Sequence, residues 1–127
     1  MAQSKHVLVI EDDPEINALV GAYVELAGFE YRPALNGSDA MADVRDHKPS
    51  MIVLDLMLPD TDGFDLLKRL RETAHLGDVP VMILSALDRQ EQLRRGINMD
   101  ATSYVTKPFD PDDFLHTLRN LGNGQHS

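Results

Sequence analysis

Short apolar runs rich in β-branched residues alternate along the chain with longer segments whose apolar residues recur at helical spacing. The runs cover residues 6–10, 29–35, 51–54, 81–84 and 103–106. Neighbouring parallel strands need a crossover connection, which is usually a helix. The alternation therefore predicts an α/β fold, a three-layer sandwich built on a doubly wound, five-stranded parallel sheet.

Capping residues mark the predicted helices. Asp13 is the expected N-cap of the first helix, Pro14 suits its first turn, and Gly28 ends it. The apolar stripe of this helix is predicted to contain Ile16, Leu19, Val20, Tyr23 and Leu26 or Ala27. The same reasoning predicts further helices at about residues 37–46, 63–74, 88–99 and 111–121.

The length and composition are those of one globular domain. The chain has 127 residues, 43% of them hydrophobic, and we expect a single domain over residues 1–127 with a core at about 5–121 and a disordered tail at 122–127. The absence of Cys excludes disulfides, thiolate metal sites and cysteine nucleophiles. No apolar run approaches the roughly 20 residues that a membrane span needs. We expect a cytoplasmic protein with no membrane partner.

The net charge is −9, from 21 acidic and 12 basic residues, so the molecule as a whole repels nucleic acid. We therefore expect no direct nucleic-acid binding by this chain, and an affinity for cations or basic protein surfaces instead. Acidic charge that only keeps a small protein soluble is the plainer explanation of the same number.

Polar residues follow four of the five predicted strands. They are Glu11, Asp12 and Asp13 after the first, Asp55 after the third, Ser85 after the fourth and Lys107 after the fifth. Doubly wound sheets form their sites at the carboxyl ends of the strands, so we expect these side chains to converge. Clustered carboxylates repel one another unless a cation lies among them, and an all-oxygen cluster suits Mg2+. Open coordination positions on that ion would favour phosphoryl oxygens.

Each of these residues also has a structural explanation when it is considered alone. The acids before Pro14 could serve the helix dipole, and Asp55 could mark a strand leaving the core. Ser85 could be a helix cap and Lys107 an ordinary exposed lysine. Those explanations do not account for the coincidence of all of them at one edge of one sheet.

The segments VLVIEDDP, VLDLMLPDTDGFDLL, VMILSAL and SYVTKPF together resemble the response-regulator receiver domain, the phosphoacceptor domain of two-component signalling. The resemblance covers nearly the whole chain. It implies a flavodoxin-like receiver fold with strand order 2-1-3-4-5. It also implies that Asp55 accepts a phosphoryl group, in a Mg2+-dependent reaction, from a phosphohistidine or a small phosphodonor.

The resemblance implies a particular metal site. Asp12, Asp55 and the backbone carbonyl of Met57 would hold Mg2+, or Mn2+ in its place, while Glu11 would act through water. Asp13 has no role in the family's site.

The resemblance also implies how the phosphoryl group is bound. Ser85 and Lys107 would contact it, with a cis peptide bond between Lys107 and Pro108. Ser85 would be drawn toward the new charge and Tyr104 would turn inward, which changes the face built from the fourth predicted helix, the fifth strand and the fifth predicted helix. A static, half-buried tyrosine is the alternative for Tyr104.

Some positions depart from the family pattern. The resemblance implies that the side chains two residues beyond Asp55 and Ser85 flank the path of the hydrolysing water. Here they are the apolar residues Met57 and Leu87, so we expect slow loss of the phosphoryl group. The segment at 100–103, Asp-Ala-Thr-Ser, lacks the acidic pair that many relatives carry there, and Thr117 stands where DNA-binding relatives often carry a basic residue. Both departures weaken the case for dimerisation through that face. We expect a monomer or a weak dimer.

The expected function is that of a signalling phosphoacceptor, not a classical enzyme, with self-catalysed phosphotransfer and slow autodephosphorylation. Its partners would be a histidine kinase or a histidine phosphotransfer protein, and a downstream protein target or an effector domain. The alternative is a receiver-shaped interaction module that is no longer phosphorylated. The intact set of Glu11, Asp12, Asp55, Ser85 and Lys107 argues against that alternative.

Overall fold

A computed structural model describes residues 5–73, 76–85, 103–106 and 110–122, with the backbone alone at Ser85 and Tyr104 among others. The strands are β1 (His6–Ile10), β2 (Glu30–Ala34), β3 (Met51–Asp55), β4 (Val81–Ser85) and β5 (Ser103–Thr106). The described helices, numbered in chain order, are α1 (Pro14–Leu26), α2 (Gly37–Asp46), α3 (Gly63–Glu72) and α4 (Pro111–Gly122). The predicted helix at 88–99 lies outside the described residues.

The strands form one parallel sheet in the order β2-β1-β3-β4-β5, which confirms the predicted fold class. The second strand is one residue shorter at each end than predicted, and α3 ends at Glu72. Gly122, placed in the predicted tail, is the last residue of α4. Among the described helices, none combines the length and the apolar character that a bilayer crossing requires.

The two faces of the sheet bury separate apolar layers, because successive strand residues point to opposite faces. Leu8, Ile52 and Leu54 pack against α2 and α3 on one face. Val7, Val9 and Val53 pack against α1 and α4 on the other. All five residues of β3 are buried, as expected of a central strand covered on both faces.

The predicted apolar stripe of α1 was right at Val20 and wrong at Leu19 and Leu26. Leu19 and Leu26 are 51% and 65% exposed, whereas Asn17, Val20, Gly21 and Val24 are buried. The buried row includes a polar residue whose amide is hydrogen-bonded and a glycine that makes room for an aromatic ring. A hydrophobicity pattern cannot identify either residue as buried, since burial there depends on partners from other strands.

Candidate functional site

The first strand delivers two acids to the carboxyl edge of the sheet before the helix begins. Glu11 follows β1 with its side chain buried, and its N–H donates to the Ala34 carbonyl at 3.0 Å. Asp12 is exposed. Asp13 accepts hydrogen bonds from the N–H groups of Glu15 and Ile16 at 2.9 and 3.4 Å, which confirms it as the N-cap of α1. Strand end and helix start therefore meet between Asp12 and Asp13.

The third strand delivers Asp55, its last residue, which is 7% exposed. The Met57 N–H donates to Asp55 Oδ1 at 3.0 Å and so orients the carboxylate. One carboxylate oxygen each from Glu11, Asp12 and Asp55 lies within 4.8 Å of the others. The predicted convergence of these three acids is thus present, and it follows from the direct pairing of β1 with β3.

An open cleft of about 430 Å³ contains these acids. It is lined by Glu11, Asp12, Asp13, Ile16, Asp55, Met57, Leu58 and Pro59. The Met57 side chain is 67% exposed. The donor set consists of carboxylate oxygens, two of them from buried residues, and hard cations such as Mg2+ prefer oxygen ligands. The residues present therefore fit the ion that the sequence predicted.

Backbone contacts within the loop between β3 and α3 fix its conformation. Met57 and Asp62 form an antiparallel bridge, and the Gly63 N–H donates to the Leu56 carbonyl at 3.0 Å. A Cβ added at Gly63 would overlap the Leu56 Cα and lie 2.7 Å from the Leu56 carbonyl oxygen. Only glycine permits this close approach.

Asp60 ties the same loop to the start of α2. Its carboxylate accepts hydrogen bonds from the N–H groups of Gly37 and Ser38 at 2.8 and 3.0 Å. These bonds to the charged form lower the pKa of Asp60 below its usual value. Sequence reasoning missed this contact because no local signal links residues so far apart along the chain.

Of the remaining predicted site residues, the structure describes only the backbone of Ser85 and Tyr104. Ser85 ends β4 in register with Thr106, and Tyr104 is in register with Ile83. Lys107, Pro108 and Leu87 lie outside the described residues. The predicted phosphoryl contacts, the cis peptide bond and the inward turn of Tyr104 stay predictions.

The family model and the curated proteins that this chain matches all point to a regulatory protein. The family model of the response regulator receiver domain matches residues 7–119. The chain is 39% identical, over 91% of its length, to the DNA-binding dual master transcriptional regulator RpaA of Synechocystis sp.. It is 34% identical over the same share to the phosphate regulon transcriptional regulatory protein PhoB of Pseudomonas aeruginosa. It covers 48% and 50% of these proteins, so the chain spans about half the length of the curated relatives it matches.

Solved structures show the same architecture. The receiver domain of the Francisella response regulator 1452 is 34% identical with a TM-score of 0.83, and the match covers 96% of this chain and 98% of that one. The chemotaxis protein CheY4 of Vibrio cholerae is 27% identical with a TM-score of 0.84, over 94% of this chain and 99% of that one.

Proposed function

The chain belongs to the response regulator receiver domain family, whose members are signalling phosphoacceptors, and from this premise we propose that Asp55 is the residue that accepts the phosphoryl group. The observation that carries the proposal is the gathering of Glu11, Asp12 and Asp55 oxygens within 4.8 Å at the carboxyl edge of the sheet. Three like charges so close together are costly unless a cation joins them.

The reaction is a phosphoryl transfer onto a carboxylate. An oxygen of Asp55 attacks the phosphorus of the donor, and the bond from phosphorus to the donor nitrogen or oxygen breaks, with its electron pair leaving on the donor. The Met57 N–H, held to Asp55 Oδ1 at 3.0 Å, fixes the direction of the attacking group. Mg2+ bound by Asp12, Asp55 and the Met57 carbonyl, with Glu11 acting through water, would neutralise charge on the phosphoryl oxygens.

Ser85 and Lys107 are the proposed contacts of the transferred group, since Ser85 ends β4 and Lys107 follows β5 in the chain. A phosphoryl group adds a charge of about −2, which a hydroxyl and an ammonium group can partner. We assign the response to Tyr104 and to the face formed by the predicted helix at 88–99, β5 and α4. This assignment comes from the family pattern and the position of Tyr104 on β5.

The donor in our proposal is a histidine kinase or a histidine phosphotransfer protein, and the output is a protein target or an effector domain. The described elements extend from His6 to Gly122, which supports a single receiver core at about residues 5–121. The interaction module without phosphorylation is not favoured, because the acids that phosphotransfer requires are gathered in one cleft.

Incubation with acetyl phosphate and MgCl2, followed by intact mass measurement, tests the proposal. We expect one phosphoryl adduct that is labile to hydroxylamine, as an acyl phosphate is. The adduct should be absent from Asp55→Ala and present in Asp65→Ala, which removes an exposed carboxylate from α3. A wild-type protein with neither adduct nor Mg2+ binding would support the interaction module instead.

We also propose that apolar Met57, together with Leu87, slows hydrolysis of the acyl phosphate. Met57 lines the cleft and is largely exposed, so its side chain offers an approaching water no hydrogen-bond partner stronger than a thioether. Met57→Asn should shorten the lifetime of the adduct in a time course of intact mass. Loss at an equal or slower rate in the variant contradicts this assignment.

A further inference from the structure

Asn17 is a polar residue on the buried face of α1, 1% exposed, and its amide lies against the ends of two strands. Its Nδ2 group lies within hydrogen-bond distance of three carbonyl oxygens, those of Val9 at 3.2 Å, Glu11 at 3.0 Å and Ala34 at 3.1 Å. At the other end of the amide, the Tyr31 hydroxyl donates to Oδ1. Both ends of the side chain are therefore bonded.

The orientation of this amide is determined by its partners. Carbonyl oxygens only accept hydrogen bonds, so the NH2 end must face Val9, Glu11 and Ala34. Oδ1 then faces the donor, Tyr31. Gly21 permits the arrangement, because a Cβ there would overlap the Tyr31 ring and lie 2.6 Å from its Cδ2.

The bonded carbonyls belong to the backbone that carries the acidic cluster. The Glu11 carbonyl is part of the peptide unit that leads into Asp12, and the Ala34 carbonyl also accepts the Glu11 N–H at 3.0 Å. Asp12 is exposed, so the course of its backbone decides where its carboxylate lies. The amide thus fixes the point at which the chain leaves the sheet and presents two of the three acids.

We propose that Asn17 and Tyr31 are positioning residues that set the cation affinity of the Glu11, Asp12 and Asp55 cluster. The inference rests on the proposed function, since it concerns the same site, but it assigns a role to two residues that touch neither the cation nor the phosphoryl group. Some residues orient metal ligands by hydrogen bonds without touching the metal. Removing such a residue typically weakens metal affinity by about 10–100-fold.

Tyr31→Phe is the sharpest test, because it keeps the ring above Gly21 and deletes only the hydroxyl that bonds Asn17. Titration calorimetry with MgCl2 should give a Kd about 10-fold weaker than in the wild type. Tyr23→Phe is the matched control: it deletes a hydroxyl from α1, where the Tyr23 ring packs edge-on against Phe114 with centroids 5.7 Å apart. We expect the control to bind Mg2+ like the wild type.

Asn17→Ala should weaken Mg2+ binding further, because it removes the NH2 group that contacts all three carbonyls. Thermal unfolding of each variant without Mg2+ separates a loss of stability from a loss of affinity. A Kd in Tyr31→Phe equal to that of the wild type, with or without a lower Tm, overturns this inference and leaves the proposed function intact. A wild-type protein that binds no Mg2+ and forms no adduct overturns both.

Discussion

The two ends of the sheet carry charge in opposite ways. At the carboxyl end, oxygens of Glu11, Asp12 and Asp55 lie within 4.8 Å of one another. At the amino end, two of the described cations lie beside acids: Arg32 bonds the Asp43 carboxylate, and Lys48 Nζ lies 3.5 Å from Asp78 Oδ1. Opposite pairs are near neutral in energy, whereas gathered like charges cost stability, so the carboxyl end has the arrangement expected of a functional site.

Cavity volume does not distinguish the two ends. A cleft of about 440 Å³ at the amino end is as large as the one of about 430 Å³ at the acidic cluster. Its lining mixes the two signs of charge, with Arg32 and Lys48 beside Glu30 and Asp46, and it also contains His6, Tyr31 and His47. The signs and spacing of the charged groups, rather than the volume of the cleft, distinguish the candidate site from an ordinary surface depression.

The largest predicted effect is on cation binding. Asp12→Ala should abolish Mg2+ binding in a calorimetric titration, because it removes one of three gathered carboxylates. Lys48→Ala, a charge change at the amino end, should leave the Kd unchanged. A variant lacking Asp12 that still bound Mg2+ with wild-type affinity would show that Asp12 is not a ligand of the cation.

Substitution of one glycine near each end of the sheet compares the two ends by their effect on stability. Gly63→Ala places a methyl group against the Leu56 backbone and should lower the free energy of unfolding by about 3 kcal/mol, measured in urea. Gly77→Ala, in the loop before β4 at the amino end, meets no atom within 4 Å and should change it by less than about 0.5 kcal/mol. Equal losses would mean that the β3–α3 loop relaxes freely around the added methyl group.

The acids on either side of the strand end should behave differently. Asp13→Ala removes the N-cap of α1 and should cost about 1 kcal/mol of unfolding free energy while leaving Mg2+ affinity unchanged. Asn36→Ala, which removes the cap of α2, is the control for a stability loss of the same kind. A weaker Kd in Asp13→Ala alone would place Asp13 in the metal site and contradict the division between Asp12 and Asp13.

The fold and the acidic cluster were predictable because both depend on short-range pattern and on topology. The N-cap at Asp13 has a local signal, and parallel strands bring Glu11 and Asp55 to the same edge whatever lies between them. The supporting contacts of Asn17 and Asp60 were not predictable. Asn17 bonds the Ala34 carbonyl on β2, and the two N–H groups that Asp60 accepts from lie 22 and 23 residues away in the chain. Polar side chains that support a site are buried by tertiary contacts, which hydrophobic periodicity does not encode.

The smallest predicted effect is a pH dependence from the amino end. His6 Nε2 is buried and has no hydrogen-bond partner among the described residues. Burial, followed by the positive charge of Arg32, lowers the pKa of His6 below 6.5, while Asp43 and Glu30 oppose the shift. A base with a lowered pKa in the folded state binds fewer protons there than in the unfolded chain between the two pKa values.

The contribution of His6 to stability is therefore fully present above pH 6.5 and is lost as the pH falls through the lowered folded pKa. Urea unfolding of wild type and His6→Gln at a series of pH values between about 5 and 8 isolates the effect, since the other groups titrate in both proteins. The free energy of unfolding of the wild type, relative to that of the variant, should fall as the pH is lowered below 6.5. His116→Gln, a histidine replacement at an exposed position on α4, is the matched control. A difference between wild type and His6→Gln that stayed constant with pH would mean that the protonated imidazole is offset by a partner such as Asp43 or Glu30, so that its pKa is the same in the folded and unfolded chain.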